Sequence, residues 1–105
     1  MSVAMVMEAL AEPSRRRIVE LLRDGERSVG SLVRETGLTQ PAVSKHLRSL
    51  KDAGLVEVRR EAQRRIYRIR PQPLAELDAW LEPYRRLWNG HLDLLERHLK
   101  EKSGP

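Results

Sequence analysis

Apolar residues recur at steps of three and four through most of this chain, and at steps of two in one short stretch. Val3, Val6, Met7 and Leu10 fall on one side of a short helix over Val3–Ala11. Pro13 opens a second helix, because a first turn does not need the missing N–H. In PSRRRIVELLRDG the core stripe is Ile18, Leu21 and Leu22, and Gly25 stops the helix. Ser28 is an N-cap for a brief third helix, Val29 to Thr36, that buries Val29, Leu32 and Val33. Gly37 terminates it and Leu38 plugs the turn.

Thr39 caps the next helix, which has Pro41 in its first turn and Val43, Leu47 and Leu50 facing inward; Gly54 ends it. The period then changes. LVEVRRE and RRIYRIR are rich in β-branched residues and are broken by Ala62-Gln63, which predicts a hairpin. Leu55, Val56, Val58, Ile66, Tyr67 and Ile69 give it an apolar face to lay on the helices. Pro71 and Pro73 close the hairpin. Beyond them a single long helix is expected, bent at Pro83 and loosened at Asn89-Gly90. Its seam is Leu74, Leu77, Leu81, Tyr84, Trp88, Leu92, Leu95 and Leu99, flanked by Trp80, Leu87 and Leu94. Ser103–Pro105 reads as a frayed tail. The expected fold class is mainly α with a small antiparallel β-hairpin, a helix-turn-helix followed by a wing. The 105 residues suit one domain. Within it, 28–53 form the helix-turn-helix, 55–70 the wing, and 1–11 with 74–100 the dimerisation helices.

Charge sharpens this picture. The chain carries 20 Lys and Arg against 15 Asp and Glu, a net +5. From Gln40 to Arg70 there are nine basic residues and three acidic ones, so this window holds +6 and the remainder sums to −1. A concentrated basic patch favours a polyanion, most simply nucleic acid. With Val43, Leu47 and Leu50 inward, Gln40, Ser44, Lys45 and Arg48 share the outward face. Glutamine can pair with adenine, Arg or Lys with guanine, and Ser with base or backbone. A helix N-terminus also suits a phosphate. Arg59, Arg60, Arg64 and Arg65 bracket the hairpin tip, where a packed sheet has little need of four guanidiniums. The candidate DNA contacts are Thr39, Gln40, Pro41, Ser44, Lys45, His46, Arg48, Arg59, Arg60, Arg64 and Arg65. His46 could equally pack beside Leu50.

The absence of cysteine excludes disulfides, thiolate metal sites and cysteine nucleophiles. No apolar run approaches the roughly 20 residues needed to span a bilayer, and the N-terminal residues read poorly as a signal peptide. A soluble, cytoplasmic protein with no membrane partner is expected. No nucleophile–base pair or Gly-rich phosphate loop stands out, so an enzyme is not expected.

The runs ALAEPSRRRIVELL, LVRETGLTQPAVSKHLRSLKDAGLVEVRRE and RRIYRI resemble the ArsR family of winged-helix bacterial repressors. The tail LDAWLEPYRRLW is similar to a metal-free branch of it. The resemblance implies a homodimer that represses transcription from an operator in or near its own promoter. It implies a recognition helix over Gln40–Ala53 and a wing over Arg59–Arg65. Where many members carry a Cys-Val-Cys metal motif, this chain has Ser28 and Gly30. Other members use a carboxylate and histidines on the last helix, and His91 and His98 are the weak candidates here, without that family spacing. No cofactor is expected.

Leu74–Leu99 spans about 39 Å of helix, with more apolar surface than a domain this small buries alone. The expected dimer surface is Val3, Val6, Leu10, Leu77, Trp80, Leu81, Tyr84, Trp88, Leu92 and Leu95. Two alternatives stay open: a Zn-responsive repressor using His91 and His98, and a nonspecific architectural DNA binder. The sequence names neither an operator nor any small-molecule inducer.

Overall fold

The computed structural model describes residues 2–102; the tail expected at Ser103–Pro105 lies outside them. The element order is α1 (Val3–Ala11), α2 (Pro13–Arg23), β1 (Arg27–Ser28), α3 (Val29–Thr36), α4 (Gln40–Asp52), β2 (Val56–Glu61), β3 (Arg64–Ile69) and α5 (Pro71–Lys102). Local chemistry sets the boundaries. The Ser2, Ser28 and Thr39 hydroxyls accept from backbone N–H groups in the first turns of α1, α3 and α4. Glu12, which the pattern did not single out, caps α2 by accepting from Arg15 N at 2.7 Å. That charge-assisted bond is the main cause that holds its carboxyl below the usual range.

One core lies under α2, α3 and α4, with Ile18, Leu22, Leu32, Val43, Leu47, Leu50, Leu55 and Val56 buried. In α1 the buried pair is Val6 and Ala9, whereas Met7, expected inside, is exposed.

The sheet has three strands rather than two, in the order β1-β3-β2. The added strand is a two-residue bridge, Arg27 opposite Tyr67 and Ser28 opposite Ile66. Too short to show a period, it carried no sequence signal. Across the hairpin Val56 faces Ile69 and Val58 faces Tyr67, and this face meets the core. Ile66 alternates to the other face, as strand geometry requires. It is buried outside the main cluster, beside the Ser28 cap of α3.

Helix α5 starts at Pro71, so Pro71 and Pro73 sit in its first turn instead of closing the hairpin. It continues through Pro83, Asn89 and Gly90 as one 32-residue helix, about 48 Å long. Only its start is anchored, through Pro73, Leu74 and Leu77. The radius of gyration is 18.9 Å and the longest extent 66 Å; a compact chain of this length has a radius near 13 Å. The excess comes from α5 leaving the body.

Candidate nucleic-acid interface

Helix α4 is held from behind. Val43, Leu47 and Leu50 are at most 1% exposed, so the helix cannot roll without opening the core. Its front presents Thr39, Gln40, Pro41, Ser44, Lys45 and Arg48, all exposed. Gly37, at φ +73°, turns the chain between α3 and α4, and its N–H donates to Val33 O at 3.0 Å.

His46 is not part of that front. Its side chain is 19% exposed and Nδ1 lies 3.8 Å from Glu12 Oε2. One position past Lys45, it turns toward the start of α2. Of the two places left open for it, a DNA contact or packing within the fold, the half-buried position beside Glu12 favours the second.

The four arginines near the wing tip also divide. Arg59 Nη2 donates to Glu26 Oε2 at 2.8 Å and Nη1 to Glu61 Oε2 at 3.3 Å. The bond to Glu26 is the chief reason the Arg59 pKa is raised and the Glu26 carboxyl held low. Arg59 therefore braces the wing against the turn before β1, a role no local pattern could show. Arg60, Arg64 and Arg65 remain exposed, and Arg60 directly opposes Arg65 across the hairpin. Like charges in that position are destabilising on their own.

Ion pairing divides the basic residues into two sets. Arg17, Arg23, Arg27, Arg59, Arg68, Arg70, Arg85 and Arg86 each lie near a carboxylate. Among the described residues, Lys45, Arg48, Lys51, Arg60, Arg64 and Arg65 have none within 4.0 Å. Three of the nine basic residues in the 40–70 window are thus neutralised internally. The unpaired six occupy α4 and the wing tip. Gln40 and Ser44 of α4 share an open groove of ≈ 690 Å³ with Gln63, Arg64 and Arg65 of the wing. Lys51 shares a second, ≈ 260 Å³, with Arg60 and Arg65. Helix α4 and the hairpin tip thus meet across two grooves that carry cations.

The predicted dimer surface is only partly exposed. Val6 is fully buried in the protomer's own core and cannot face a partner, which corrects that assignment. Leu10 and Leu77 pack on the core, and Val3 and Leu81 are half-buried. Trp80, Tyr84, Trp88, Leu92 and Leu95 are exposed by 42–58%, together with Leu87, Leu94 and Leu99. The Trp80 and Tyr84 rings meet with centroids 5.0 Å apart and planes tilted by 39°. His91 and His98 stand exposed on the same stretch. No group of three or more His, Asp or Glu able to hold a metal is gathered among the described residues. Among them, too, no helix is long and apolar enough to cross a membrane.

A helix-turn-helix with a basic front, followed by a basic wing, defines a DNA-binding transcriptional regulator. The chain belongs to the arsR family of bacterial regulatory proteins, whose profile matches residues 12–58, from the α2 cap into β2. HTH-type transcriptional regulator Rv2034 of Mycobacterium tuberculosis is 41% identical over 90 residues, covering 85% of this chain and 84% of the relative. The Biofilm growth-associated repressor of Agrobacterium fabrum is 39% identical over 75 residues, 71% of this chain and 64% of the relative. The chain spans only 35% of HTH-type transcriptional regulator Rv0324 of M. tuberculosis, to which it is 42% identical over 80 residues, 76% of this chain. Among solved structures, HlyU from Vibrio cholerae is similar at 36% identity and TM-score 0.65, covering 81% of this chain and 89% of that one. An ArsR-like regulator from Rhodococcus has a TM-score of 0.72 at 27% identity, with 90% of each chain covered.

Proposed function

We propose that this regulator is a homodimeric repressor that occupies a palindromic operator with α4 in the major groove and the wing along the adjacent backbone. The supporting observation is the set of six cations on α4 and the wing tip without an acidic partner, including the opposed Arg60 and Arg65. A sheet selected for stability alone would not hold two arginines face to face. Duplex phosphates supply the missing counter-charge, and their condensed counterions are released on binding. Gln40, Ser44, Lys45 and Arg48 then read base edges, while Arg60, Arg64 and Arg65 fix the register.

The exposed apolar length of α5 supports pairing of two copies. A pair reads two half-sites about one DNA turn apart. Repression is the role of relatives such as the Biofilm growth-associated repressor of Agrobacterium fabrum. The chain acts by binding in the cytoplasm, with no catalytic role and no cofactor. Selection of bound fragments from random duplexes, with DNA upstream of the chain's own gene included, tests the reading. An enriched palindrome with affinity that falls steeply with salt supports it. Equal affinity for all duplexes would make the protein an architectural binder instead.

A further inference from the structure

Arg34 lies on α3, outside the two elements that carry the interface described above. Its side chain is exposed and has no carboxylate within 4.0 Å among the described residues. The β1–β3 bridge sets its surroundings. Because Ser28 pairs with Ile66, the first turn of α3 begins beside the residues preceding Ile66, which are Arg64 and Arg65. Arg34 is one turn further along α3. Its Nη1 lies 3.5 Å from where a Cβ on Gly30 would sit. With no side chain at Gly30, the guanidinium leans back toward the start of α3 and so toward the wing.

Arg34, Arg64 and Arg65 consequently line the same groove of ≈ 690 Å³, and no acidic residue shares that lining. Two walls contributed by different elements face one concavity with three guanidiniums. That arrangement selects a phosphate-bearing ligand, since guanidinium forks match phosphate oxygens. Gln40 and Ser44 complete the groove and belong to the outward face of α4. The groove is therefore continuous with the helix front, which favours a nucleic-acid strand over a small free anion.

We propose that Arg34 closes a phosphate clamp with Arg64 and Arg65, gripping the sugar–phosphate strand that borders the groove entered by α4. This rests on the reading of α4 and the wing as duplex-binding elements. Arg34 contributes affinity and register and reads no base.

The test is fluorescence anisotropy with the selected operator and a scrambled duplex, from about 50 to about 300 mM KCl, a range over which phosphate contacts dominate the slope. The proteins are the parent, Arg34→Ala, Arg34→Lys, Arg64→Ala and Arg97→Ala, the last removing an exposed cation of α5. Arg34→Ala is expected to lower the salt slope by about two, one contact for each protomer of the dimer, and to weaken both duplexes about fivefold at 0.15 M salt. Arg34→Lys keeps most of the slope, and Arg97→Ala keeps all of it. Parent behaviour from Arg34→Ala, alongside a loss from Arg64→Ala, overturns the clamp and leaves the wing standing. Loss confined to the operator would make Arg34 a base-reading residue, which also overturns it. Weakened binding of inorganic tripolyphosphate with unchanged duplex binding would make the groove a small-anion site instead. If the parent shows no salt-dependent duplex binding, the clamp and the reading beneath it both fall.

Discussion

Arg59 Nη2 and Glu26 Oε2 stand 2.8 Å apart, although 33 residues separate them in the chain. The contact joins the wing to the turn that leads into β1. It also withholds one guanidinium from the basic surface. The Glu26 carboxyl is held below its usual range chiefly by this bond. A depressed carboxylate stabilises the fold above its unfolded-state pKa, and that contribution is lost as pH falls through the folded value.

Glu26→Gln should therefore destabilise the protein at neutral pH but not in acid below the ordinary glutamate range. Thermal melts of parent and variant across that range should converge as pH falls. The same substitution leaves Arg59 with Glu61 as its remaining carboxylate partner, so duplex affinity at low salt should rise only slightly. A variant that melts lower and binds DNA more weakly at every salt would show that the bond serves only to orient the wing.

Adjacent residues of α4 should fail in different ways. Leu47→Ala opens a cavity behind the helix and should cost about 2–5 kcal/mol in urea unfolding. Arg48→Ala, fully outward, should change stability by less than about 0.5 kcal/mol. It should still lose about 1–3 kcal/mol of discrimination at one base pair of the operator.

Leu95→Glu should give monomers in sedimentation velocity at concentrations where the parent is dimeric, because a charge on an apolar seam must be desolvated. The helical content of the body should persist, since α5 is anchored through Pro73, Leu74 and Leu77. Operator affinity should fall far more than affinity for a single half-site. The indole emission of Trp80 and Trp88, now exposed by 46% and 42%, should move to longer wavelength on dissociation.

The two-residue wing turn carries strain. Ala62 has φ +56°, a region where an L side chain costs roughly 1–2 kcal/mol. Ala62→Gly should raise the thermal midpoint slightly, with the relieved strain partly offset by added unfolded-chain entropy. Gly37→Ala, at φ +73° between α3 and α4, should act in the opposite sense by about 1 kcal/mol. Calorimetry of the two variants checks both signs.

The helices were legible because their signals are local. Ser28 and Thr39 announce two N-termini, and Gly37 and Gly54 mark ends with φ of +73° and +76°. The outward face of α4 followed from three inward residues and the pitch of a helix. His46 was not resolvable in that way. It lies at the margin between the faces, and in the fold it sits beside Glu12, which no periodicity connects to it. Val6 was placed toward a partner because an apolar position on α1 looks the same from either side; the fold closes over it.

The sequence by itself determined the order and identity of the helices, the hairpin, and the concentration of charge between Gln40 and Arg70, since caps, periods and composition act over a few residues. Tertiary structure alone decided which of those charges remain available. Glu26, Glu57 and Glu61 pair with Arg59, Arg68 and Arg70, while pairing of Ser28 with Ile66 carries Arg34 to the wing. Ion pairs and strand register join residues far apart in the chain, and Coulomb attraction depends on distance in space, which the order of residues does not contain.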